Sequence, residues 1–304
     1  MARYKSNMFL AVMVPLLAAA SCSDVNSDAK ESPVVEKMHS CLHSDCRVCA
    51  AEFKAVKPPM PVRTDADGDC SACCQNTYGT ISDLSSPYMK ASVQDTSLIG
   101  QLLLKKMRAV YDYRLYLDID GKDRIVPLDE YLTGVCAHDG MMTRRYQVDS
   151  IRITEKVCLD EESPVAIFHY EWNGPGLRKI FADYSSDLGN VRREEGCPGF
   201  SLEYGWSPEL NGMVVRDKGK KKVSILGANV PGLCIWSGRY DGFSYDSRRI
   251  RPIKTEKCKV SSCIEFYVEW LDCMDVVVAA TEKGQEGLLF RYAKALREPL
   301  SVMP

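Results

Sequence analysis

The chain has 304 residues, 45% of them apolar and 26% charged, ordinary globular values that exclude a fibre, a low-complexity polymer and a wholly disordered chain. It is long enough for two or three units, each burying its own core. With 39 basic and 41 acidic residues the net charge is −2, which argues against nucleic acid as a partner.

The first segment, "MARYKSNMFLAVMVPLLAAASCS", places Arg3 and Lys5 before an apolar run from Met8 to Ala20 that Pro15 interrupts. That run is too short to cross a bilayer. Its basic head and small-residue end are those of an export signal over 1–21. The end, Leu17-Ala-Ala-Ala-Ser21-Cys22, resembles the lipobox of bacterial lipoproteins, although Ala19 stands where that family prefers Leu, Val or Ile. The resemblance implies that Cys22 is acylated, as by palmitate, and becomes the new N-terminus. The protein would then be membrane-anchored and extracytoplasmic, in the cell envelope. Ordinary cleavage after Ala20 or Ser21 is the alternative. Residues 22–40 are polar and aperiodic and read as a tether.

Fourteen cysteines in an exported chain read as disulfides rather than reduced thiols. Setting Cys22 aside leaves thirteen, an odd number. In the span 41–111, Cys41, Cys46, Cys49, Cys70, Cys73 and Cys74 crowd into "CLHSDCRVC" and "DGDCSACC". The two C-x2-C pairs have zinc-ribbon spacing, so a disulfide knot, a zinc or iron site and a redox pair all remain open, the knot being favoured by export. "DADGDC" lacks the Gly and Glu that a calcium loop needs at its sixth and twelfth positions. After it, Thr96 or Ser97 can cap "LIGQLLLKKMRAVYDY", where Ile99, Leu103, Met107 and Val110 make a helical stripe. One helix is expected there.

The remainder reads as mainly β, arranged as two tandem sandwich-like or barrel-like repeats over 112–199 and 200–304. Shifted by 98 positions, "LYLDIDGKDRIVPLDEYLTGVCAHDG" lies without a gap on "MVVRDKGKKKVSILGANVPGLCIWSG", and "TEKVC" later meets "TEKC". Side-chain parity survives the shift: Ala166, Phe168, Tyr170 and Trp172 share a face, as do Ile264, Phe266, Val268 and Trp270. Asp120-Gly121 marks a tight turn between alternating runs. Cys136 and Cys158 recur as Cys234 and Cys258, so each copy is expected to carry its own bridge, worth about 3 kcal/mol by the chain-entropy model. Cys263 and Cys273 are expected to pair in the second copy alone. Cys197 is left over, as an odd thiol or a link to the crowded segment.

Charge divides along the same boundary. Residues 113–199 carry 11 basic and 16 acidic side chains, or −5; residues 212–304 carry 16 and 11, or +5. The basic half suits an anionic polymer, lipid headgroups or an acidic envelope protein, unless it faces the acidic half instead.

No GxSxG elbow, HExxH pair or phosphate loop occurs, and no cofactor motif. His138 and His169 meet Trp236 and Tyr267 in the second copy, so a duplicated histidine site is not expected. No residue is assigned a catalytic role. "VPLDEYLTGVCAHD" resembles the opening motif of sporulation-type peptidoglycan lytic transglycosylases. That resemblance implies Asp139 as a catalytic acid, but the Ala/Gln/Arg-rich helix that should come next is replaced by "GMMTRRYQVDS". The sequence therefore reads as an exported, lipid-anchored envelope protein used in binding or assembly, with a peptidoglycan-modifying enzyme or a metal-binding protein as alternatives.

Overall fold

The computed structural model describes residues 83–94, 97–138, 140–189, 202–219, 221–254, 259–284 and 287–298. Among the described residues it is mainly β: two eight-stranded antiparallel sheets packed face to face, one separate hairpin and one α-helix. In chain order the strands are β1 (Leu84–Ser85), β2 (Met89–Gln94), β3 (Ser97–Leu104), β4 (Met107–Ile119), β5 (Val126–Pro127), β6 (Leu132–His138), β7 (Met141–Val148), β8 (Ile151–Leu159) and β9 (Val165–Asn173). They continue as β10 (Leu177–Ser186), β11 (Leu202–Ser207), β12 (Gly212–Asp217), β13 (Val223–Ala228), β14 (Gly232–Gly238), β15 (Tyr240–Asp246), β16 (Arg249–Lys254), β17 (Val260–Tyr267) and β18 (Cys273–Thr281), before helix α1 (Leu288–Arg297).

The first sheet runs β1-β2-β3-β4-β10-β17-β14, with the short β5 on β4; the second runs β11-β12-β13-β18-β9-β8-β7-β6. Between them lies a core of alternate residues, among them Leu115, Leu117, Ala182, Ile264, Phe168 and Val276. Such alternation is what a sheet with one face on a core requires.

The stretch expected to be helical is instead the β3–β4 hairpin. Leu104 pairs with Met107 across a two-residue turn in which Lys105 takes φ 55°. A helix would collect Leu103, Met107 and Val110 on its apolar face, whereas the strands bury Leu102, Leu104, Met107 and Ala109 at 6% exposure or less. Non-local pairing of β4 with β10 then decides between two periods that the local sequence satisfies almost equally. The α-helix stands at the far end of the chain, where Leu288, Leu289, Tyr292 and Leu296 cover Ile167, Ile225 and Val277 on the outer side of the second sheet. Beneath it the chain must come close: a Cβ at Gly227 would stand 2.2 Å from both the Tyr292 hydroxyl and the Asn211 carbonyl.

Both sheets draw strands from 112–199 and from 200–304. Moved by 98, β6 to β10 fall on β14 to β18 in the same order, with starts that differ by three residues or fewer. The final strands are exchanged: β9 pairs with β18, and β17 pairs with β10. A turn at Gly174 (φ 105°) and Gly176 (φ 97°) carries the chain from β9 in the second sheet to β10 in the first; a Cβ at Gly174 would meet the Ser150 carbonyl at 2.7 Å. The shared face predicted for the two aligned strands is present, since Ala166, Phe168, Tyr170, Trp172, Ile264, Phe266 and Val268 all enter the core. Trp270 does not, because β17 stops at Tyr267 and leaves it 89% exposed.

The two halves part ways at one hairpin. β7 and β8 stay in the second sheet between β6 and β9, but their counterparts β15 and β16 leave the first sheet as a two-stranded hairpin, so that β14 pairs directly with β17.

Candidate functional site

That displaced hairpin roofs the outer face of the first sheet. Registers across β4, β10, β17 and β14 put Arg114, Asp183, Cys263 and Trp236 in one transverse row. The next row is Tyr116, Phe181, Glu265 and Leu233, and a third holds Asp118, Lys179 and Tyr267. All alternate with core-facing neighbours such as Leu115, Leu117, Ile180 and Ala182, so the period of two sends them outward.

The hairpin is clasped onto this face. Phe243 and Cys263 share an apolar cluster with Phe181 and Ile125, against which Tyr240, Tyr245 and Ile250 pack. Tyr245 stacks on Tyr116 with ring centroids 3.6 Å apart, and its hydroxyl lies 3.5 Å from the Cys263 sulfur. Trp236 Nε1 donates to the Ile250 carbonyl at 3.2 Å, and Ser261 Oγ donates to the Tyr240 carbonyl at 2.8 Å. At the tip, the Ile125 N–H donates to the Ser247 carbonyl at 2.9 Å and Arg248 to the Lys122 carbonyl at 2.7 Å.

Beneath the roof sits a carboxyl group that the fold has taken out of water. Asp183 is 9% exposed. Burial raises it to about 7, against the attraction of Lys259 and Arg114 and a hydrogen bond from Tyr245, while Asp112 pushes the same way as burial. Above the roof the chemistry is different. Arg248, Arg249 and Arg251 are exposed, and among the described residues no carboxylate lies within ion-pair distance of them. Ile253 on the same hairpin is 47% exposed, and Leu233, Trp236 and Tyr267 on the sheet are 47%, 40% and 45% exposed. Lys179 bonds Glu265 at 2.5 Å and stands 5.3 Å above the Tyr267 ring.

Two further polar groups lie elsewhere. On the outer side of the second sheet, His169 Nδ1 meets Asp275 at 2.7 Å and its Nε2 meets Glu171 at 2.9 Å. Asn229 Nδ2 donates to Asp275 at 2.7 Å. Burial opposes a charged ring, but the hydrogen bonds to Asp275 and Glu171 and their charges outweigh it and raise His169 to about 9. The same contact, with Lys156 assisting, lowers Glu171 to about 2. With both nitrogens held by carboxylates, this ring clamps two strands and is not a free base. Inside the sandwich, Glu155 accepts hydrogen bonds from Tyr146 and Tyr170, both at 2.8 Å, and from Arg144 Nη2 at 3.2 Å. Arg144 Nε lies 2.7 Å from Glu155 Oε2, yet its N–H is not aligned for a hydrogen bond, so the contact is ionic.

The cysteine expectations are corrected where the described residues reach. Cys136 lies on β6 opposite Thr143, and Cys158 on β8 opposite Met141, with β7 between them. Two strand spacings are about 9.5 Å, beyond the ~7 Å between Cα atoms that a disulfide tolerates. The loop expected to be closed by a bridge is instead a three-stranded meander. Cys263 belongs to the first sheet and Cys273 to the second, and both are thiols. Cys234 is a thiol that donates to the Trp236 carbonyl; its expected partner Cys258 lies outside the described residues. Burial pushes Cys158 and Cys273 up to about 12 and Cys234 to about 11, so they stay protonated at neutral pH. Cys22, the crowded cysteines, Cys197 and Asp139 also lie outside the described residues. The motif that ends at Asp139 forms β5, a single 3₁₀ turn (Leu128–Tyr131) and β6, and β7 comes next where the transglycosylase resemblance implies a helix. Among the described residues no group of His, Cys, Asp and Glu is placed to hold a metal ion, and no helix is long and apolar enough to cross a membrane.

No protein-family model matches the sequence, and no curated protein matches it. Among solved structures, the chain is similar in fold to a bacterial glucoamylase complexed with acarbose, at 12% identity and TM-score 0.50, over 75% of this chain and 36% of that one. The chain thus spans about a third of the glucoamylase's length. Weaker likenesses are to a family GH92 inverting mannosidase from Bacteroides thetaiotaomicron (8% identity, TM-score 0.40, 71% and 30% of the two chains) and to a 4-alpha-glucanotransferase from Thermococcus litoralis (11%, 0.38, 69% and 39%). At such identity the first likeness concerns the fold alone.

Proposed function

We propose that this protein is an exported component of the cell envelope, held to a membrane through a lipid on Cys22, whose β-sandwich serves as a binding module. Its binding surface is the outer face of the first sheet together with the β15–β16 hairpin. The observation that carries this is the company that Leu233, Trp236, Tyr267 and Ile253 keep: four large apolar side chains, each at least 40% exposed, on the face that also bears Arg249 and Arg251. Apolar surface left open beside unpaired charge is a mark of interaction sites. A tether to the membrane raises the local concentration of such a face at the envelope.

Two measurements test the two halves of this reading. Cys22→Ser moves the protein from the membrane to the soluble extracytoplasmic fraction; unchanged fractionation refutes the anchor. A photocrosslinking residue at Trp236 or Ile253 traps an envelope component in cells, whereas one at Tyr204, equally exposed on β11, does not. Equal trapping from all three positions refutes the face.

A further inference from the structure

We infer that the β15–β16 hairpin docks on an anionic phospholipid surface, giving the sandwich a second, reversible membrane contact; this rests on the envelope location proposed above.

The strand pattern supplies an amphiphilic edge. β16 alternates, with Ile250 and Pro252 toward the sheet and Arg249, Arg251 and Ile253 on the solvent side. Residues 239–254 hold five basic side chains and two acidic ones, a net of 5 − 2 = +3. One of those acids, Asp241, faces Lys259 at 4.0 Å. The other, Asp246, pairs across the hairpin with Arg249 in the strand register only. Guanidinium groups suit headgroup phosphates because they present forked donors. Trp236 adds an indole at the sheet margin, 40% exposed while its N–H stays bonded to Ile250, and amphipathic rings are favoured at headgroup level. An acidic polymer would be satisfied by the arginines alone and would leave Ile253 in water. A bilayer interface accepts both.

The anchor by itself selects no face of the protein. Cys22 lies 61 residues before Asp83, where the described fold begins, and so is part of neither sheet nor of the hairpin. Something on the folded surface must choose the orientation, and the cationic hairpin is the exposed element that complements a negatively charged membrane.

The test uses the full mature chain carrying Cys22→Ser, so that no acyl group contributes, and measures co-sedimentation with vesicles. Binding is expected to phosphatidylcholine vesicles that contain phosphatidylglycerol, and not to phosphatidylcholine alone; it weakens as salt is raised. Each arginine near such a surface contributes about a factor of five in partition. Arg249→Ala with Arg251→Ala therefore lowers binding about 25-fold, and Ile253→Ser weakens the part that survives high salt. Lys218→Ala with Lys221→Ala, an equal charge change on the β12–β13 turn, leaves binding within about twofold. Circular dichroism confirms that each variant is folded. Absence of binding to the anionic vesicles, an equal loss in the lysine control, or binding to an acidic polymer without binding to vesicles each overturns the inference. Because the protein is unlipidated, failure here leaves the anchor reading intact, and failure of the fractionation test leaves this result intact.

Discussion

The carboxyl group of Asp183 offers the sharpest measurement of whether the hairpin excludes water from the sheet beneath it. An aspartate in the unfolded chain titrates near ~3.9, and burial lifts Asp183 to about 7 in the fold. The folded state therefore keeps a proton through a window in which the unfolded state has lost it, and stability falls as pH rises across that window. Three units amount to about 4 kcal/mol lost by the time the group is fully ionised, or about 1.4 kcal/mol for each pH unit. Urea denaturation between about pH 4.5 and 6.5 isolates this contribution. His169, raised to about 9, contributes stability that is full below its unfolded value near ~6.5 and is lost only above it. Glu171, lowered to about 2, loses its contribution only as pH falls below about 4.5. Asp183→Asn removes the titrating group and keeps its shape. The stability of the wild type minus that of the variant should fall by about 2.4 kcal/mol over those two units, since the slope is below its limit at both ends of the window. Parallel profiles for the two proteins would show that Asp183 is solvated and that the hairpin is not a roof.

Three other expectations rest on single contacts. Glu155→Gln strands the Arg144 guanidinium in the core and should cost about 3–5 kcal/mol, whereas adding Arg144→Met to it recovers most of the loss in urea melts; a double variant as unstable as the single would refute the ion pair. Gly227→Ala forces a methyl group to within 2.2 Å of the Asn211 carbonyl and the Tyr292 hydroxyl and should cost at least about 2 kcal/mol, while Gly134→Ala, with nothing within 4 Å, stays within about 1 kcal/mol of wild type; equal melting of the two would remove the close helix–sheet approach. Alkylation of the denatured, unreduced protein should find Cys158, Cys263 and Cys273 as thiols, and a mapped peptide joining Cys136 to Cys158 would refute the β6-β7-β8 order.

Much of the fold is legible in the sequence because strand parity is a local property. "AIFHYEW" and "IEFYVEW" announce which side chains enter the core, and they do so correctly as far as the second strand extends. The β3–β4 hairpin reads as a helix because the run Leu102-Leu103-Leu104 serves both patterns, lending Leu103 to a helical stripe with Ile99, Met107 and Val110 and Leu102 and Leu104 to a strand alternation. What separates the two is a partner strand about seventy residues away, with Ala182 opposite Leu115. The Cys136–Cys158 pairing fails for a related reason, since spacing along the chain does not reveal a strand lying between the two side chains. Asp183 is invisible in the sequence as a special residue. Within "KIFADYSS" it reads as an ordinary outward aspartate, and the residues that perturb it, Lys259, Arg114 and Tyr245, converge only when four strands and a hairpin are in place. The cationic hairpin, by contrast, is legible as the basic run "RRIRPIK"; only its outward Ile253 and its seat on the sheet need coordinates.

The correspondence at 98 residues, which we read as the trace of a duplication, explains why the candidate face occurs only once. In both halves a hairpin lies between the strands that match, β7–β8 in one and β15–β16 in the other. In the first half β8 pairs along the whole of β9, and its inward side carries Ile153, Glu155 and Val157 to the core. The matching inward set in the second half would begin at Arg251 and Ile253, and a guanidinium at that depth without a carboxylate would carry a desolvation penalty of several kcal/mol. Glu155 answers that difficulty for Arg144 in the first half; the second half has no such carboxylate on its hairpin strands, where only Asp241 and Asp246 are acidic. Expelling β15–β16 from the sheet keeps their arginines in water, lets β14 close directly on β17, and leaves the outward row around Asp183 to be covered by Phe243 and Tyr245. The roof, the desolvated carboxyl beneath it and the cationic surface above it thus all follow from where a few charged residues lie in the second half of the chain.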